Sequence, residues 1–216
     1  LRRIRVGVLA SGRGSNLQAL IAASCDGRID ADIAIVVSDR PDAVALQRAR
    51  DAGVKAHYVD PLRKGARLAE ESETRIMSLL DEAGVDLVAL AGFMRILSAR
   101  LVRHFSGRIV NIHPSLLPSF PGLHVQKKAL EYGVKYSGCT VHFVDEGVDT
   151  GPIIVQAAVP VLEGDTVELL SERILGEEHR IYAEAVQLFA EGRLRIKGRT
   201  VHVLPERRSD AGFDQP

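Results

Sequence analysis

Ile4-Arg5-Val6-Gly7-Val8-Leu9-Ala10-Ser11-Gly12-Arg13-Gly14-Ser15-Asn16-Leu17-Gln18-Ala19-Leu20 decides the reading of the fold. Its first seven residues are a short, largely apolar run that ends at a glycine turn, the pattern of a buried strand. From Asn16 the apolar period changes. Leu17, Leu20 and Ile21 share one helical face over Asn16–Ser24. A strand, a tight turn and a helix in that order open an α/β unit. The basic residues ahead of the run mimic a secretory leader, but the apolar stretch stops at Ser11-Gly12 and no small-residue cleavage pattern follows, so a strand is the better reading.

Working outward, the same alternation recurs. Ile33–Ser38 reads as a second strand, Ala43–Ala52 as a helix ended by Gly53, and Ala56–Val59 as a short third strand. A charged helix over Arg67–Ala83 is bounded by Gly84, and Leu87–Ala91 and Ile109–His113 supply two further strands. Pro114, Pro118 and Pro121 then break regular structure. A short helix over Val125–Tyr132 precedes strands Thr140–Asp145 and Ile153–Val159; the second lies between Pro152 and Pro160, which predicts a place at the sheet edge. A long helix covers Val167–Glu191. The pattern predicts an α/β fold in three layers, a mostly parallel twisted sheet with helices on both faces. One domain is expected over residues 1–205, with a polar, mobile tail over 206–216.

The 216 residues carry 28 Lys plus Arg against 28 Asp plus Glu, so no bulk charge drives the chain onto nucleic acid or an anionic membrane. No apolar stretch is as long as a membrane span. Cys25 and Cys139 form no C-x-x-C pair and read as free thiols of a cytoplasmic protein. Small molecules are therefore the expected partners, bound by a monomer or a homodimer.

The turn Ser11–Asn16 puts glycines before a helix N-terminus, where free amides bind an anion. Ser15 and Asn16 are also good cap residues. A capped turn without a ligand explains the same residues. A dinucleotide fingerprint would need a third glycine where Leu17 stands, although Asp39 could serve as its ribose-binding acid. A P-loop would need Gly-Lys-Ser/Thr, which is absent. A cradle for a single phosphate fits best.

Val110-Asn111-Ile112-His113-Pro114 closes the fifth strand. Residues two apart share a face, so Asn111 and His113 project together while Ile112 enters the core. Both sit at a strand carboxyl end, where open α/β sheets bind ligands. An amide that stabilises an oxyanion beside an imidazole that moves a proton suits acyl transfer. A hydrogen-bonded structural pair is the rival reading. Downstream, Asp145-Glu146-Gly147-Val148-Asp149-Thr150-Gly151-Pro152 is explained in part by turn chemistry alone. A carboxylate from it near His113 would favour the imidazolium form. A metal held by Asp149, His113, His142 and His124 is disfavoured, because these residues lack a compact ligand spacing.

Four segments in order, Ser11–Leu20, Ala91–Leu97, Asn111–Pro118 and Asp149–Pro152, make the chain resemble the folate-dependent phosphoribosylglycinamide formyltransferases. The resemblance implies 10-formyltetrahydrofolate as co-substrate, no metal, and Asn111, His113 and Asp149 as catalytic residues. It implies that Gly14, Ser15 and Asn16 hold the acceptor phosphate and that Glu178 holds its ribose. It assigns the folate to Met94, Arg95, Ile96 and Leu97, to Asn111, to Glu146, Gly147 and Val148, and its glutamate tail to Arg67. Where this chain has Arg13, such proteins usually have Asn or Thr. Methionyl-tRNA formyltransferase and formyltetrahydrofolate deformylase share the Asn-x-His-Pro and Asp pieces, but usually carry a further domain and lack the Gly-Ser-Asn turn here. A folate- or nucleotide-binding module without turnover is the alternative outside enzymes.

Overall fold

The computed structural model describes residues 2–206; the tail expected over 206–216 lies outside them except for Glu206. Nine strands and six helices are found among the described residues: β1 (Ile4–Leu9), α1 (Ser15–Cys25), β2 (Ala31–Ser38), α2 (Val44–Asp51), β3 (Lys55–Tyr58), α3 (Glu70–Glu82), β4 (Leu87–Leu90), α4 (Ala99–His104), β5 (Ile109–His113), α5 (Val125–Tyr132), β6 (Tyr136–Phe143), β7 (Ile153–Pro160), α6 (Val167–Ala190), β8 (Leu194–Lys197) and β9 (Thr200–Val203). They form one sheet in the order β3-β2-β1-β4-β5-β6-β7-β9-β8. The strands from β3 to β5 pair in parallel, and β6 and β7 continue antiparallel. The chain winds outward from β1 in both directions, so a crevice opens between the carboxyl ends of β1 and β4.

Alternation along the central strands fills two cores. Val6, Val8, Val36, Leu87, Ala89, Val110 and Ile112 meet α1, α2 and α6 on one face. Leu9, Ile35, Val37, Val88, Leu90 and Ile109 meet α3 and α4 on the other. Gly7 belongs to the second face, where an added Cβ would lie 2.5 Å from Leu80. Ile112 is buried in the first core, as the strand-end reading requires.

Several elements differ from the sequence reading. Helix α3 starts at Glu70 because Arg67 instead bridges Ile96 in parallel. Helix α4 was not expected; Ser98 caps it by accepting from the Leu101 amide. Strand β6 starts at Tyr136. Strand β7 was expected at the edge, and instead β9 joins it, through the single pair Ile153↔Thr200. The β8–β9 hairpin was missed because Arg195, Lys197 and His202 hide a period-2 alternation of Leu194, Ile196, Val201 and Val203 around Gly198.

Helix α1 is not capped by Ser15 or Asn16. Its N-cap is Gly14, in the left-handed region (φ 69°), and no side-chain cap bond forms. Glycine in place of a side-chain cap costs only about a few tenths of a kcal/mol, whereas burying Leu17 or Leu20 contributes roughly 1.5–3 kcal/mol each. Packing therefore holds the helix and its first amides stay free.

Candidate active site

A cavity of about 1130 Å³ runs along the carboxyl ends of β1, β4 and β5. Pockets for one drug-sized ligand span roughly 300–1,000 Å³, so two small substrates fit side by side. One half is built on α1 and α6, the other on loops after β4 and β6.

In the first half, Gly14 turns the chain into α1. A Cβ at Gly14 would lie 2.8 Å from both Cα and Cβ of Ala45, at the start of α2. Glycine is required there by conformation and by contact. The first intrahelical bond runs from the Gln18 amide to the Gly14 carbonyl (2.9 Å), which leaves the amides of Ser15, Asn16 and Leu17 for an anion. Arg13 is exposed on the cavity rim, and its carbonyl accepts from Arg48. Asn16 donates through Nδ2 to Glu178 Oε2 (2.7 Å), while its own Oδ1 is buried without a partner. Burial pushes the Glu178 carboxyl up; the Asn16 bond and the charges of His113 and Arg13 oppose this. One helical turn further along α6, the buried Tyr182 hydroxyl donates to the Leu90 carbonyl (2.9 Å), tying α6 to the end of β4.

At the centre, Asn111 stands opposite His142 in the β5–β6 register. Asn111 Nδ2 donates to His142 Nε2 (3.2 Å), and His142 Nδ1 donates to the Phe143 carbonyl (2.8 Å). This fixes His142 as the neutral Nδ1–H tautomer, in keeping with burial pushing its pKa down. His113 Nε2 donates to the Phe120 carbonyl (3.0 Å), so the other nitrogen, Nδ1, is free to exchange a proton. Asp149 Oδ2 lies 3.5 Å from it. Asp149 Oδ2 also accepts from the Gly122 amide (2.8 Å), and Asp149 sits at φ 55°, a strained setting for a non-glycine residue. Asn111, His113 and Asp149 are thus brought together.

In the second half, the Met94 amide donates to Ser11 Oγ (2.8 Å) and the Ile96 amide to the Ala66 carbonyl (2.8 Å), which anchors the 92–97 segment. Met94, Phe93, Leu97, Val144 and Val148 make this half apolar. Arg95 turns its side chain away, onto Asp39 and the Gly65 carbonyl. Gly147 and Val148 line the cavity, whereas the Glu146 carboxylate points outward to Arg103 (2.8 Å). Arg67 is exposed beside Ala66, which lines the cavity.

Tyr182 was missed, while Ser11 was read only as the start of the turn, His142 only as a metal ligand and Asp39 only as a ribose-binding acid. His142 could have been found from the antiparallel register opposite Asn111. Asp39 is almost fully buried under Ser11 and Arg95, so the ribose-binding role weighed for it fails. No group of three or more residues that could hold a metal is found among the described residues. No described helix is long and apolar enough to cross a membrane.

A strand-end amide, an imidazole and a carboxylate thus stand beside the free amides of a helix N-terminus, and residues 4–186 match the formyl transferase model: the chain belongs to that family. It is 45% identical over 189 residues to phosphoribosylglycinamide formyltransferase of Escherichia coli (strain K12), covering 88% of each chain. The trifunctional purine biosynthetic protein adenosine-3 of Drosophila melanogaster is 53% identical over 193 residues; these are 88% of this chain but 14% of that protein. Among solved structures, glycinamide ribonucleotide transformylase 1 from Symbiobacterium toebii superimposes with a TM-score of 0.90 at 57% identity, covering 94% of this chain and 95% of that one.

Proposed function

We propose that this chain transfers the formyl group of 10-formyltetrahydrofolate to the amine of 5-phosphoribosylglycinamide, giving formylglycinamide ribonucleotide and tetrahydrofolate. It would act in de novo purine biosynthesis, in the cytoplasm, as a monomer or homodimer, without metal. The observation that carries the reading is the position of Asn111, His113 and Asp149 between an anion cradle and an apolar, backbone-edged half. The acceptor phosphate sits on the free amides at Gly14–Asn16 and its ribose on Glu178. The folate lies along Met94–Leu97 and the 145–149 turn, with Arg67 at the rim for its glutamate tail.

The acceptor amine attacks the formyl carbon directly. As the tetrahedral intermediate forms, the second Asn111 amide proton, the one not given to His142, stabilises its oxyanion. Removing such a donor costs about 2.7–4 kcal/mol in a known hole. The His113 imidazolium adds positive charge, held by Asp149. A proton leaves the attacking nitrogen and another reaches the folate nitrogen as the C–N bond breaks, with His113 Nδ1 or water as carrier. Side-by-side binding supplies much of the acceleration by orientation.

The test is donor consumption with and without the acceptor. Loss of 10-formyltetrahydrofolate only when phosphoribosylglycinamide is added is expected. Loss without it would make the chain a hydrolase, and binding without loss would make it a binding module.

A further inference from the structure

Three strand ends meet in one buried hydrogen-bonded cluster beneath the cavity. Ser11 follows β1, Asp39 follows β2, and Met94 and Arg95 follow β4. Asp39 Oδ1 accepts from Ser11 Oγ (2.5 Å) and Oδ2 accepts from Arg95 Nε (2.6 Å). Ser11 Oγ in turn accepts the Met94 amide, and the Arg95 guanidinium also donates to the Gly65 carbonyl. The Asp39 side chain is only 2% exposed and that of Arg95 18%. Both carboxylate oxygens are engaged, so the cluster is oriented inward and not toward a ligand.

Every segment tied by this carboxylate borders the cavity. Ser11 opens the anion turn, residues 93–97 form the apolar half, and Gly65 precedes Ala66 on the rim. A buried ion pair is seldom the best route to stability, since apolar packing serves as well or better. What it supplies here is a single geometry. It ties the Met94 amide to Ser11 Oγ and the Arg95 guanidinium to Asp39, which anchors the 93–97 segment on the anion turn.

Resting on the formyl-transfer reading, we propose that Asp39 and Arg95, with Ser11, are positioning residues that register the formyl-donor half of the cavity on the acceptor half. The Asp39 and Arg95 side chains engage each other and not a substrate. Their loss would let the 93–97 segment slide against the anion turn, and a misplacement of about 1 Å costs on the order of 10²-fold in rate. A donor out of register is open to water. The water oxygen then bonds to the formyl carbon, the bond from that carbon to N10 breaks, N10 takes a proton, and formate and tetrahydrofolate leave.

Asp39→Asn and Ser11→Ala are compared with the wild type, with donor loss and formylated acceptor measured separately. In the wild type the two are expected to match. In both variants kcat is expected to fall about 10- to 10²-fold, with donor loss exceeding product, while the acceptor KM stays near wild type. Destabilisation alone would lower the active fraction without changing the ratio of loss to product. Should either variant fail to fold, Arg95→Lys, which keeps the charge but not the paired guanidinium contacts, is expected to show the same uncoupling. Folded variants with wild-type kcat and matched loss and product would overturn the proposal alone. A wild type without acceptor-dependent transfer would overturn the formyl-transfer reading, and this proposal with it.

Discussion

The two halves of the cavity are built by different means. The acceptor side stands on regular elements: the first turn of α1, set by Gly14 against Ala45, and the middle of α6, pinned by Tyr182. The free donors there are backbone amides, which need no particular side chain. The donor side stands on loops, and its shape depends on side chains far apart in sequence, such as Arg95 on Asp39 and Asp149 on Gly122. The acceptor side should therefore respond to changes of backbone, and the donor side to changes of hydrogen bonding.

The largest effect should come where the halves meet. His113→Ala is expected to lower kcat by about 10²–10⁴-fold, with little change in the dissociation constant of a non-transferable folate analogue. Near-normal turnover would remove His113 from the chemistry. Next, Gly14→Val forces a side chain onto Ala45 at positive φ, at a cost of roughly 1–3 kcal/mol in stability. It should raise the acceptor KM at least tenfold by about 1.4 kcal/mol or more, yet leave folate-analogue affinity intact. An equal loss on both sides would erase the contrast between the two halves.

A smaller effect tests Glu178. Its pKa is raised by burial, so the folded state favours the protonated form. Its contribution to stability is therefore greatest below the ordinary carboxylate range and falls as pH rises through the elevated folded value. Glu178→Gln should flatten that decline in melting temperature as the pH rises from the ordinary carboxylate range, while raising the acceptor KM. A decline as steep as the wild type's would assign it to other groups. Smallest is Arg13→Asn. An exposed cation contributes about 0.2–1 kcal/mol, so the acceptor KM should rise only a few-fold, with a weaker salt dependence. An unchanged salt dependence would show that the backbone amides alone attract the phosphate.

The same contrast explains what the sequence made legible. Period and glycine spacing located β1, the turn and α1, because those signals are local. The shared face of Asn111 and His113 followed from strand alternation, and Ile112 does enter the core. Side-chain partners across the chain were not legible. Nothing near Asp39 announces that Ser11 and Arg95 will close over it, 28 and 56 residues away. Likewise, Ser15 and Asn16 carry the chemistry of caps, but Gly14 takes that place, and Asn16 spends its amide on Glu178, 162 residues distant.

Tyr182 makes α6 a gauge. Its hydroxyl fixes the helix to the Leu90 carbonyl, and Leu90 pairs with Asn111 in the neighbouring strand. Glu178 lies four residues away, about 6 Å along the axis at 1.5 Å per residue. The span from the Glu178 carboxyl to the Asn111 amide is thus measured out by one turn of helix and one rung of sheet. On the proposed reading, an acceptor with one more methylene between ribose and amine is expected to carry its nitrogen past the formyl carbon and to be a poor substrate.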